Sequence, residues 1–101
     1  MSYASFDHFF STLANKQRVH ILQLLAEKGP HSVTSIAETL GLEQSSVSHS
    51  LKQLLLCHFV TVQQAGKERI YGINEDTVKP LFDQIEGHVS KYCVKGCDHW
   101  N

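Results

Sequence analysis

The side chains best suited to chemistry lie near the end of the chain, in HVSKYCVKGCDHW. Cys93 and Cys97 are four positions apart, which sets both sulfurs on one face if a helix continues there. His99 follows two positions later, and His88 lies about a turn and a half before Cys93. Thiolate and imidazole donors suit zinc, cadmium or another thiophilic divalent metal ion. If His88 is directed elsewhere, a further ligand could come from His8 near the start of the chain or from a second subunit. The same thiols, with Lys91 and Lys95 beside them, could instead serve thiol-redox sensing, which needs accessible, easily ionised sulfurs. Incidental thiols on an unstructured tail are the third reading, and the sequence does not separate the three. Cys57 stands alone, and a lone cysteine in that position is more often a small core residue than a ligand. Three cysteines are an odd number in a chain without a signal peptide, which argues against a structural disulfide framework.

A second group of polar side chains sits in the middle of the chain. The segment EQSSVSHSLKQL has an apolar stripe on one side and carries Gln44, Ser45, Ser46, Ser48, His49 and Lys52 on the other. Short donors and acceptors near a helix N-terminus, followed by a cation, are what a helix needs to enter a DNA groove and touch phosphates. Gln44 has the amide that pairs with an adenine edge. Ser45 and Ser46 sit where hydroxyls and free backbone amides together favour a phosphate. Further on, Lys67 in the AGKE turn and Arg69 just after it could reach the phosphate backbone or the minor groove. A solvated polar face on a protein-interaction helix is the bland reading of the same pattern.

These groups need elements to hold them. Phe6, Phe9, Phe10 and Leu13 recur at helical spacing, so residues 3–13 are expected to form an amphipathic helix with one heavy aromatic face that needs a partner surface. Asn15 can cap a second helix through KQRVHILQLLAEKG, with Val19, Leu22, Leu25 and Ala26 inward and Gly29-Pro30 ending it. Ser32 or Thr34 then opens VTSIAETLG, with Val33, Ile36, Ala37 and Leu40 on one face. Gly41 supplies a turn, and Glu43 to Cys57 forms the next helix, with Val47, Leu51, Leu54 and Leu55 inward. Two short helices around a glycine turn are the helix-turn-helix pattern. FVTVQQ and RIYGI, joined by AGKE, make a β-hairpin. A last helix is expected from Glu75 through Val78, Leu81, Phe82, Ile85, Val89 and Tyr92, with Pro80 in an early turn where a helix tolerates it.

At 101 residues the chain has room for one domain. The expected division is a DNA-binding and dimerisation domain over residues 1–92 and a Cys/His-containing tail over 93–101. No apolar run is long enough to span a membrane and Met1-Ser2-Tyr3 opens no signal peptide, so a cytoplasmic protein is expected. The net charge of −1 is no sign of a generally basic nucleic-acid binder, but the charge is unevenly spread. Between Gln44 and Tyr71, Lys52, Lys67 and Arg69 face Glu68 alone, a local charge of +2. From Asn74 onward acids outnumber bases. DNA association follows the local field rather than the average. An enzyme has little support, because no Gly-rich phosphate loop or nucleophile motif occurs.

The segments LANKQRVHILQLL, VTSIAETLGLEQSSVSHSLKQL and FVTVQQAGKERIYGI, in that order, resemble the ArsR/SmtB family of small winged-helix repressors. Leu13, Arg18, Ile21, Leu22, Val47, Ser48, His49, Leu51 and Tyr71 fill the family's places, and the likeness runs from about residue 9 to residue 92. The resemblance implies a mainly α fold with a β-hairpin wing, a winged helix-turn-helix. It also implies a homodimer joined through its first and last helices, bound to double-stranded operator DNA until an inducer releases it. The chain departs from the family at the metal sites. Where some members carry a Cys-x-Cys near the third helix, this chain has Ser32-Val33-Thr34. At the interhelical zinc site Glu75, Thr77, His88 and Lys91 stand in the ligand places, and only His88 matches well. The C-terminal Cys93, Cys97 and His99, with His88, are the donors that remain.

Overall fold

The computed structural model describes residues 3–93, so Cys97 and His99 lie outside the described residues. The chain runs α1 (Tyr3–Leu13), α2 (Lys16–Lys28), β1 (His31–Ser32), α3 (Val33–Leu40), α4 (Gln44–Leu56), β2 (Val60–Ala65), β3 (Glu68–Ile73) and α5 (Val78–His88), the last continuing as one π-helical turn over Val89–Cys93. This is the mainly helical winged helix-turn-helix that the sequence predicts.

The helix ends follow local chemistry. Asn15 Oδ1 accepts from the Arg18 amide at 2.9 Å and starts α2, and Ser32 Oγ accepts from the Ser35 amide at 3.1 Å and starts α3. Gly41 ends α3 in the left-handed region at φ 68°, a conformation costly for any residue with a Cβ. The last helix begins at Val78 rather than at the expected Glu75. The reason is Asn74, whose Oδ1 accepts from the amides of Asp76 at 2.9 Å and Thr77 at 3.3 Å and holds those residues in a turn. Asn74 Nδ2 also donates to His58 O at 2.8 Å, which holds His58 in its left-handed conformation at φ 58°.

The core is built around α2. Ile21, Leu22, Leu24 and Leu25 are buried against Ile36 and Ala37 of α3, Val47, Leu51 and Leu54 of α4, Phe59, and the inner residues of the sheet. The inward stripe expected at Val19, Leu22, Leu25 and Ala26 is therefore rotated, with Val19 and Ala26 only half-buried. A helix packed on several sides needs a broader buried arc than one lying on a single surface. The first helix also departs from expectation. Phe9 stacks on Phe59 with ring centroids 4.9 Å apart and Leu13 packs on the core, but Phe6 and Phe10 stay 49% and 59% exposed. The aromatic face divides into two i, i+4 pairs, one inside and one outside.

The sheet has the order β1-β3-β2, both pairings antiparallel, with His31 opposite Tyr71 and Val62 opposite Tyr71 on the other side. The two-residue β1 is absent from the sequence reading. It is too short for any alternation to show, and it forms because β3 offers it an edge.

Candidate nucleic-acid interface

The helix-turn-helix is α3, the Gly41 turn and α4. The Leu42 amide donates to Ala37 O at 2.9 Å, closing the turn, and Glu43 O receives the Val47 amide at 3.0 Å. The α4 N-cap, Glu43, makes no side-chain cap. The first-turn N–H groups thus take no cap from Glu43, and uncapped amides at a helix start favour an anion. Val47, Leu51 and Leu54 are fully buried and fix which side of α4 faces out. Gln44, Ser45, Ser48, His49 and Lys52 are exposed along that outer side. Ser45, His49 and Lys52 follow i, i+4, i+7, and Ser48 sits one turn before Lys52, so one strip of helix carries them.

Ser46 behaves differently from its neighbours. It is half-buried, and its hydroxyl donates to Gln17 Oε1 at 3.1 Å while Gln17 Nε2 lies 3.0 Å from the same oxygen. Its side chain therefore faces α2, and the exposed hydroxyl at this helix start is that of Ser45. Gln17 is a residue the sequence did not single out. No local pattern links it to a serine 29 positions later.

The wing is the hairpin of β2 and β3. Ala65 pairs with Glu68, leaving Gly66-Lys67 as a two-residue turn with Gly66 at φ 64°. A positive φ at the first turn residue is what the type II′ hairpin requires. Lys67 stands at the tip and Arg69 opposite Gln64, both exposed. The structure thus carries a polar helix face and a short cationic hairpin, with no acid between Gln44 and Lys67.

Elsewhere, Arg18 Nε donates to Thr12 O at 2.7 Å and Nη2 to Ser11 O at 3.5 Å, so this arginine closes the end of α1. Cys57, the α4 C-cap, is half-buried with its sulfur 3.1 Å from His8 Nε2 and 3.6 Å from Thr12 Oγ1. His8 is thus turned to Cys57. Of those donors, His88 is exposed with its ring 5.0 Å from that of Tyr92, and Cys93 is half-buried. No group of three His, Cys, Asp or Glu side chains placed to hold a metal occurs among the described residues. Between α2 and α5 runs a groove of about 740 Å³ lined by Leu13, Val19, Ala26, Phe82, Ile85 and Val89. At its rim the Asp83 carboxylate, hydrogen-bonded to Lys79 at 2.9 Å, holds that ammonium above its ordinary pKa.

Residues 15–62 match the family model for bacterial regulatory proteins of the arsR family. The crystal structure of Rv0081 from Mycobacterium tuberculosis is similar over 88% of this chain and 89% of that one, with 30% identity and a TM-score of 0.80. The chain belongs to the arsR family. The HTH-type transcriptional regulator NmtR of M. tuberculosis is 38% identical over 76 residues, 75% of this chain and 62% of that protein. The chain thus spans just under two thirds of the length of that relative. The homodimeric winged helix-turn-helix DNA-binding domain of Mb0332 from Mycobacterium bovis, a possible ArsR-family transcriptional regulator, shares 27% identity over 89% of this chain and 82% of that one, at a TM-score of 0.82. These relatives are transcriptional regulators, which agrees with the expectation of a regulator rather than an enzyme. No helix among the described residues is long and apolar enough to cross a membrane.

Proposed function

We propose that the chain is a cytoplasmic transcriptional repressor that binds double-stranded operator DNA as a homodimer and is released by an inducer. The observation that carries this reading is the exposed strip Gln44, Ser45, Ser48, His49 and Lys52, uninterrupted by acid and backed by a fully buried apolar face. In the major groove Gln44 would address a base edge, Ser45 and the first-turn amides a phosphate, and Lys52 a second phosphate further along. Lys67 and Arg69 would extend the contact to the flanking backbone or minor groove. Ser46 serves this surface from behind.

The homodimer reading is supported by apolar surface in two places. Phe6 and Phe10 of α1, and Ile85, Val89 and Tyr92 around the end of α5, are exposed although α1 and α5 belong to a chain of only 101 residues. A small domain with a limited core gains stability by sharing such faces with a second copy. Residues 1–92 would then form the DNA-binding and dimerisation unit, with 93–101 as a sensing segment.

For the inducer, the donor chemistry favours a thiophilic divalent metal ion. His88 and Cys93 are two donors of suitable type, and Cys97 and His99 would have to complete the set. When bound, such an ion would act by favouring the dimer geometry that misplaces the two reading helices. The test is a binding titration of the fully reduced protein with fluorescent random-sequence duplex at low salt, followed by Cd(II) under anaerobic conditions. Expected are binding without metal, a thiolate-to-metal absorption band on adding Cd(II), release of DNA, and loss of band and release in Cys93→Ser. Absence of binding at low salt would refute the DNA function. Binding without a band, accompanied by ready oxidation of Cys93 with Cys97, would transfer the sensor role to thiol redox chemistry.

A further inference from the structure

We infer that Gln17, on α2 and away from the DNA-facing strip, is a positioning residue that sets the rotation of the reading helix α4. The inference rests on the DNA-binding reading above.

The apolar contacts of α4 fix its depth and which side faces out, but not the last few degrees of its rotation. Val47, Leu51 and Leu54 are each 0% exposed, and burial of this kind is non-directional. The directional contacts come from Gln17. Its Nε2 lies 2.7 Å from Ser50 Oγ, 3.0 Å from Ser46 Oγ and 3.1 Å from Ser46 O, while Oε1 receives the Ser46 hydroxyl at 3.1 Å. One carboxamide thus spans two serines a full turn apart on one side of α4. Ser50 is only 6% exposed, so in the packed protein its hydroxyl takes its partner from the amide rather than from bulk water. Without Gln17 its hydroxyl would fall back on the Ser46 carbonyl of its own helix, a contact that bends helices.

The seam formed by Ser46 and Ser50 lies between the buried stripe and the outward strip. Any rotation of α4 therefore moves the strip directly. Side-chain tips stand about 5–6 Å from a helix axis, so a rotation of about 10° shifts them by ~1 Å. That is enough to spoil a two-point contact with a base edge, which costs about tenfold in discrimination. The first-turn amides lie about 2 Å from the axis and move little, and Lys52 meets phosphate as a flexible point charge, so the phosphate contacts survive such a shift. The neighbouring Arg18 grips the Thr12 and Ser11 carbonyls at the end of α1. Two consecutive residues of α2 thus contact the end of α1 and one side of α4.

The test starts from a preferred duplex selected from a random pool by the wild-type protein. Affinity for it and for a scrambled duplex is then measured across salt for wild type, Gln17→Met, Ser50→Ala and the double variant. Gln17→Met keeps length and removes the hydrogen bonds. The expected result is a roughly tenfold smaller preference in each single variant and no further loss in the double, with scrambled-duplex affinity and salt slope unchanged. An unchanged preference, an equal loss on both duplexes, or effects that multiply in the double variant would each overturn the inference. Hydrogen exchange on the free protein gives a reading that needs no DNA: α4 amides from Val47 to Leu51 should exchange faster in Gln17→Met, with α2 amides unaltered. Equal exchange overturns the clasp. Faster exchange in a protein that selects no duplex supports the clasp and faults the DNA reading instead.

Discussion

Replacing Lys52 by alanine isolates the electrostatic part of DNA binding. Lys52 is exposed on the outer strip of α4, and the one ion pair among the described residues joins Lys79 to Asp83 instead. Removing it should leave folding within about 0.5 kcal/mol of wild type, because no packed contact goes with it. Each phosphate neutralised contributes about 0.9 to the slope of log affinity against log salt. A dimer loses two such contacts, so the slope should become shallower by about 1.8. Between 50 and 200 mM salt, the ratio of wild-type to variant affinity should then shrink by roughly tenfold. Fluorescence anisotropy with one duplex at four or five salt concentrations is sufficient. The loss should be uniform over duplex sequences, since a phosphate carries no sequence information. A variant with a parallel salt dependence, whatever its affinity, would show that Lys52 does not touch phosphate and that α4 meets DNA in another orientation.

Two further outcomes bear on the dimer and on the turn. Phe6→Ser together with Phe10→Ser should shift sedimentation equilibrium toward monomer. Four half-exposed rings in the dimer lose about 1 kcal/mol each, a weakening of about a thousandfold, and unchanged self-association would exclude the α1 face from the interface. Gly41→Ala has open space for its methyl group but must adopt φ 68°, so a loss of about 1–2 kcal/mol in denaturant unfolding is expected without any clash. Equal stability would mean that the turn relaxes into another conformation.

Much of this fold was legible because its signals are local. The caps at Asn15 and Ser32, the glycine turn and the hairpin each act over a few residues, where residue type and backbone conformation are tightly linked. The outward strip of α4 was legible for the same reason, since its complement, Val47, Leu51 and Leu54, is periodic. What escaped depends on residues far apart. Gln17 meets Ser46 and Ser50, and His8 meets Cys57, only once α1, α2 and α4 have packed. Periodicity at Phe6 to Leu13 gave a helix but could not say how a 10 Å rod divides its aromatic rings between its own core and the surface. The expected start at Glu75 likewise misses Asn74, whose side chain delays that helix to Val78 and ties it to His58.

The small third strand has a consequence for the geometry of an operator. β3 pairs with β2 on one side and with β1 on the other, and β1 runs straight into α3. Hairpin, turn and α4 are thereby joined through one sheet and one short helix. Such a linkage resists stretching within a protomer, because extending it would break ladder hydrogen bonds. One base pair inserted between two half-sites turns them by about 35° and separates them by a further 3.4 Å or so, a change the hairpins cannot follow by bending. In the proposed dimer, tolerance to spacing in the operator then reports chiefly on the joint between the two copies.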